Sequence, residues 1–257
     1  MSEPASSHRT DAPVALVTGS GAARIGNVVA RTLAQRGYRL VIHANSSFAA
    51  AQATAAELAA AGNDALAVQA DLRDEHAIDG MVLRAHEHFG RIDALVNCAA
   101  IWQPKRLEDV TADEVRENFE INALATFLCC RTVGLIMVRQ PAGGAIVNFG
   151  DWAVARPYLD YAAYFPSKGA IPALTRSFAA ELADRNPRVR VNAILPGPVM
   201  LPDDLPPLQR ASAIAGTLLR REGSPQNVAE AVVFLLENDY ITGVCLPVDG
   251  GRSVFGV

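Results

Sequence analysis

From residue 14 onward the chain alternates between short runs rich in Val, Ile and Leu and longer stretches of helical character. Strands covered by helices on both faces read as continuous apolar runs, so this alternation predicts βαβ units around a parallel sheet. Strands are predicted at 14–18, 39–43, 65–70, 92–96, 145–149, 189–194 and 244–248, and helices at 26–36, 48–61, 75–89, 112–138, 161–184 and 225–237. The helix at 48–61 is rich in alanine and follows the cap candidates Ser46 and Ser47. The expected fold is a single doubly wound α/β domain over residues 13–257, a seven-stranded parallel sheet flanked by helices, behind an N-terminal tail of residues 1–12. Five prolines between Pro196 and Pro207 exclude a regular element there. The stretch of about 196–217 is therefore expected to be a loop at a strand's carboxyl end, where open α/β sheets bind their ligands. Pro172 removes the amide that would bond the carbonyl of Lys168, which predicts a local kink in the helix at 161–184.

Composition narrows the function classes. The 257 residues are 50% hydrophobic and 19% charged, enough for one large core, with a formal net charge of -4. No block of Lys or Arg is present, so neither nucleic acid nor an anionic membrane surface is an expected partner. No run approaches the roughly 18 apolar residues of a membrane span, and the first residues lack the order of a secretory signal. A soluble, cytoplasmic protein is expected. Cys98, Cys129, Cys130 and Cys245 show no CxxC spacing and read as buried thiols. His86 and His88, two apart on a helix, point in different directions, and no metal site is expected.

The turn after the first strand reads Thr18-Gly19-Ser20-Gly21-Ala22-Ala23-Arg24-Ile25-Gly26 and leads into a helix. Glycines there let a backbone approach a pyrophosphate, and the helix N-terminus supplies N–H groups and partial positive charge. Gly19, Ser20, Arg24, Ile25 and Gly26 are thus candidate dinucleotide contacts. An acidic residue at the end of the second strand would select NAD, but none occurs between Asp11 and Glu57. Arg24, with His43, Asn45, Ser46 and Ser47 as further donors, suits a 2′-phosphate instead, so the expected cofactor is NADP(H). Asp71 and Leu72 close the third strand near an adenine, and Asn97 and Ala99 close the fourth.

Tyr164 and Lys168 are four apart and share a helix face, where an ammonium would favour the phenolate and bring the tyrosine toward use as a general acid. Together with the glycine loop, Asp71, Asn97-Cys98-Ala99-Ala100, Asn122, Pro196-Gly197 and Val248-Asp249-Gly250-Gly251, they stand in an order and spacing that resembles the short-chain dehydrogenase/reductase family over about residues 13–255. The resemblance implies a Rossmann-like fold, a homotetramer, Tyr164 as proton donor, Lys168 lowering its pKa and holding the nicotinamide ribose, Asn122 organising a water, and Pro196 and Gly197 at the cofactor. Most of that family has a serine thirteen residues ahead of the tyrosine; here that position is Asp151. Asp151, Arg24 and an aromatic residue, Trp102, beyond Asn97 resemble the pteridine reductase branch. That likeness implies Asp151 and Tyr164 protonating a ring nitrogen, Trp102 stacking on a flat heterocycle, and Val199 in the substrate loop. The glycine loop is one residue longer than in that branch. Two other outcomes stay open: a general carbonyl or 3-oxoacyl reductase in which Asp151 replaces the serine, and a non-catalytic NADP-binding sensor.

Overall fold

The computed structural model describes residues 11–254; all but the last two residues of the expected tail lie outside them. β1 (Val14–Thr18), β2 (Arg39–Ala44), β3 (Ala65–Gln69), β4 (Ala94–Asn97), β5 (Gly144–Phe149), β6 (Val189–Pro196) and β7 (Cys245–Val248) form one seven-stranded sheet in the order β3-β2-β1-β4-β5-β6-β7. Every pairing in it is parallel. The order reverses between β1 and β4, which opens a crevice at their carboxyl ends.

Both faces are covered, which is why the strands read as unbroken apolar runs. Leu16, Val41, Leu95 and Ile146 point to one side, against α3 (Glu75–Phe89), α5 (Ala125–Met137) and α6 (Tyr164–Arg185). Val17, Ile42, Val96 and Val147 point to the other, against α1 (Ile25–Gln35), α2 (Phe48–Ala60) and α8 (Pro225–Glu237). Each fully buried Leu, Ile or Val contributes about 1.5–3 kcal/mol, so the two slabs dominate stability.

The structure departs from the sequence pattern where a side chain or a proline changes the backbone's partners. β4 starts at Ala94 rather than residue 92, because the Gln140 side chain accepts from the Ile92 amide and donates to its carbonyl, both at 2.9 Å. β7 starts at Cys245 because the Val244 amide donates to Asn192 Oδ1 at 3.1 Å. The helix expected at 112–138 is α4 (Ala112–Asn118), a π-helical stretch at Phe119–Leu124, and α5. Its span Ala112–Met137 is long and apolar enough to cross a membrane, yet half of it is packed inside the molecule as a core helix. The loop expected at about 196–217 contains a helix, α7 (Pro207–Ala215), which forms because a proline at the first helical position lacks only an amide that has no intrahelical partner anyway. α6 begins at Tyr164, not residue 161, and continues through Pro172 without ending.

Candidate active site

The crevice floor is the glycine loop. Gly19 has φ +64°, and a Cβ on it would lie 2.9 Å from the Ala99 Cα; one on Gly26 would lie 2.7 Å from the Gly19 carbonyl oxygen. Half of the loop's amides are engaged internally. The Gly19 amide donates to His43 Nδ1 at 3.0 Å, and the Ser20 and Gly21 amides donate to the His43 carbonyl at 3.0 and 3.1 Å. Ser20 Oγ donates to the Val17 carbonyl at 2.7 Å. Gly19 and Ser20 therefore shape the loop and offer no amide to a phosphate. Among the described residues, the amides of Ala22, Ala23, Ile25 and Gly26 make no internal bond, so the anion-seeking donors are those at the start of α1.

His43 corrects its expected role as a phosphate donor: its ring is buried and both nitrogens are engaged, Nε2 at 3.1 Å from the Ala70 carbonyl. Arg24, Asn45 and Ser46 are exposed, and the Arg24 guanidinium has no partner among the described residues. With the half-buried Ser47, they stand beside the α1 N-terminus and the end of β2 as side-chain donors open to an anion. Asp71 is taken by Arg73, Oδ2 to Nη2 at 2.6 Å, which holds its carboxyl below the usual carboxylate range. Leu72 is a core side chain and can offer only its backbone. Asn97 also turns away from the crevice, donating to Asn148 Oδ1 at 2.9 Å, while Asn148 donates to Thr175 Oγ1 at 3.1 Å. The Ala99 amide is held by Thr18 Oγ1 at 3.1 Å, under the crevice. Gly197 packs where a Cβ would lie 2.5 Å from the Asp249 Cα, and its amide donates to the Val248 carbonyl at 3.0 Å.

The first turn of α6 faces the end of β5. The Tyr164 hydroxyl donates to Asp151 Oδ2 at 2.8 Å, and Asp151 Oδ1 accepts from the Ala153 amide at 2.8 Å. One turn on, Lys168 Nζ donates to the Phe149 carbonyl at 2.8 Å. Tyr164 is 5% exposed and Lys168 3%. Burial pushes the Tyr164 phenol well above its ordinary value and the Asp151 carboxylate adds to that, so in this state the tyrosine is a neutral donor. Lys168, the expected source of a pull toward the phenolate, bonds the Phe149 carbonyl in this state. Burial also raises the Asp151 pKa, against the Ala153 amide, the Tyr164 hydroxyl and Lys168. The Lys168 ammonium is lowered by burial to about 8.

Asn122 lies in the π-helical stretch, fully buried. Its Oδ1 accepts from the Ile101 amide at 2.9 Å, and its Nδ2 donates to the Ile101 carbonyl at 3.1 Å and to Ser167 Oγ at 3.0 Å. It joins α6 to the segment carrying Trp102. That indole stacks on Tyr161, centroids 4.9 Å apart and planes 16° apart, and donates to the Tyr158 hydroxyl at 3.2 Å. Tyr161 meets Tyr164 edge-on at 6.2 Å, so an aromatic wall runs from Trp102 to the Tyr164–Asp151 pair. Neither Tyr158 nor Tyr161 has a lysine four residues on, so that pattern does not single them out; the signal in the sequence is the regular step of three from 158 to 161 to 164. Ser167 carried none.

Val199 lines a separate cavity of about 410 Å3 with Pro198, Thr217, Leu218, Arg221 and Asp249; neither Tyr164 nor Asp151 reaches it. Arg252 braces this side: its guanidinium lies 4.7 Å over the Trp152 ring and donates to the Ala213 carbonyl of α7. No cluster of three or more potential metal ligands occurs among the described residues.

A family model described as enoyl-(acyl carrier protein) reductase matches residues 21–253. The 3-oxoacyl-[acyl-carrier-protein] reductase of Bos taurus is 35% identical over 234 residues, 91% of this chain and 95% of the relative. Pteridine reductase 1 of Leishmania tarentolae is 34% identical, covering 95% of this chain and 97% of the relative. A solved structure described as a putative short-chain alcohol dehydrogenase from Sinorhizobium meliloti superposes with a TM-score of 0.87 at 30% identity, covering 95% of this chain and 97% of that one. A chain that aligns nearly end to end with reductases of this kind and shares their fold belongs to the short-chain dehydrogenase/reductase family of oxidoreductases.

Proposed function

We propose that this protein is an NADPH-dependent reductase of a pterin, dihydrofolate or similar flat nitrogen heterocycle. The observation that carries the reading is the 2.8 Å bond from the Tyr164 hydroxyl to Asp151, with the Trp102–Tyr161 stack beside it. A carboxylate next to the proton donor suits protonation of a basic ring nitrogen better than polarisation of a ketone, because it repels a developing alkoxide and attracts an iminium-like centre.

The glycine loop, tight enough that a Cβ would fill it, and the open amides at the start of α1 fit a dinucleotide pyrophosphate. Arg24, Asn45 and Ser46 would hold the 2′-phosphate and Lys168 the nicotinamide ribose. NADPH, when bound, supplies the hydride to the carbon of the substrate's C=N bond. Tyr164 holds the proton destined for the adjacent nitrogen, and Asp151 orients that hydroxyl and passes a replacement proton from solvent. Asn122, by fixing Ile101, sets the position of the wall at Trp102, which excludes water and orients a flat ligand.

A second reading, a 3-oxoacyl reductase, is favoured by the bovine relative's name. The test is NADPH oxidation by the purified protein with dihydrobiopterin or dihydrofolate against a β-ketoacyl thioester. Turnover of the heterocycle alone is expected; turnover of the thioester alone would replace the first reading by the second. Tyr164→Phe should bind NADPH and lose turnover with either substrate, whereas NADPH binding without turnover in the unaltered protein is the outcome a sensor would give. The same reading includes self-association as a homotetramer, supported by two apolar surfaces: Phe119, Leu124, Phe127 and Leu135 along α4–α5, and Phe234, Tyr240 and Val244 beside β7.

A further inference from the structure

We infer that His43 is a positioning residue for the dinucleotide: held neutral, its ring pins the Gly19 peptide and through it the N-terminus of α1. The inference rests on the proposed binding of NADPH at that terminus. The bonds themselves fix the tautomer. A backbone amide can only donate, so Nδ1, 3.0 Å from the Gly19 nitrogen, carries the lone pair; a carbonyl can only accept, so Nε2, 3.1 Å from the Ala70 oxygen, carries the hydrogen. The backbone of the same residue completes the grip. Its amide donates to Ser20 Oγ at 3.1 Å, and its carbonyl accepts from Ser20 and Gly21.

The contacts run in series from this clamp to the phosphate donors. Gly19 sits at φ +64°, and its carbonyl lies where a Cβ on Gly26 would come within 2.7 Å. A tilt of the Gly19 peptide therefore moves the first turn of α1, which carries the open amides of Ile25 and Gly26. A protonated ring has hydrogen on both nitrogens and cannot accept from Gly19, so the clamp opens as His43 gains a proton. Burial lowers the pKa of His43, the Ala70 carbonyl opposes this, and no charged side chain contributes. The charged groups on the surrounding elements are engaged elsewhere or face solvent: Asp71 beyond Ala70 pairs with Arg73, Glu57 of α2 pairs with Arg31 of α1, and Arg24 of the loop is exposed.

Two substitutions separate the ring's two bonds. His43→Asn places an acceptor near the Nδ1 position and drops the Ala70 contact, whereas His43→Gln keeps a donor near Nε2 and drops the acceptor for Gly19. At pH 7.5 the Asn protein should hold its NADPH dissociation constant within about threefold of the parent, and the Gln protein should weaken it by about tenfold. The KM for NADPH should follow, with kcat at saturating NADPH changed by less than about threefold. Between pH 7.5 and 5 the parent's dissociation constant should rise more steeply than that of the Asn protein. Equal effects of Asn and Gln, or a fall in kcat with unchanged NADPH affinity, would overturn the inference. A readout without nucleotide guards against misfolded variants and against failure of the NADPH reading. The parent's melting temperature should fall below pH 6.5 more steeply than that of His43→Asn, because the folded state resists a proton that the unfolded chain accepts. Parallel melting curves would sink the clamp, while a parent that fails to bind NADPH at all would sink the functional reading.

Discussion

Asp151 sits half-buried, its carboxyl shared between the Tyr164 hydroxyl and the Ala153 amide. Its folded-state pKa is raised, so the native protein holds a proton there more tightly than the unfolded chain, and stability is lost as pH rises through that raised value. Asp151→Asn keeps an acceptor for the Ala153 amide and removes the charge. It should melt at the same or a higher temperature at pH 7, bind NADPH as before and lose turnover by about 10²–10⁴-fold, checked by calorimetry beside steady-state kinetics. Lys168 carries the opposite sign. Its pKa is lowered to about 8, so its ammonium is lost on the alkaline side, and kcat/KM should fall above a limb near pH 8 that is missing in Lys168→Met. At this scale the sequence disclosed identities better than directions. Asp151 was legible from its distance to Tyr164, but whether the tyrosine is pushed up or down depends on burial that no spacing encodes. The inward turn of His43 was hidden for a related reason: strand alternation sets it opposite Ile42, and only the end of β3 supplies the Ala70 carbonyl that captures the ring.

Elements were legible where the apolar pattern was long, and misread where a side chain replaced a backbone partner. All seven strands lie where the β-branched runs stand, with ends shifted by Gln140 at Ile92 and Asn192 at Val244. The π-helical stretch at Phe119–Leu124 could not be seen, since the amino acids of one wide turn carry no period of their own. It matters because Asn122 lies in it. Pro172 leaves the Lys168 carbonyl without its helical amide while α6 continues. Pro172→Ala should restore that bond and raise stability by about 1–3 kcal/mol in denaturant unfolding; a loss of stability would mean that the proline ring packs better than a methyl group.

For the whole molecule, length and alternation were sufficient to specify one doubly wound domain, because a parallel sheet needs helices on both faces and the chain supplies them in order. The proposed self-association rests on what those helices leave outside. Leu135 is 43% exposed on α5, in line with Phe127 and Leu124. For the proposed homotetramer, Leu135→Glu should reduce the mass measured by light scattering to that of a dimer while circular dichroism shows the secondary structure kept; an unchanged mass would overturn that use of the α5 face.

Arg252 links two segments that are far apart in the sequence. Its guanidinium lies over Trp152, the neighbour of Asp151, and reaches across to the Ala213 carbonyl of α7. One guanidinium thus couples the turn beside Asp151 to α7, so Arg252→Ala should let both segments exchange their amide hydrogens faster together.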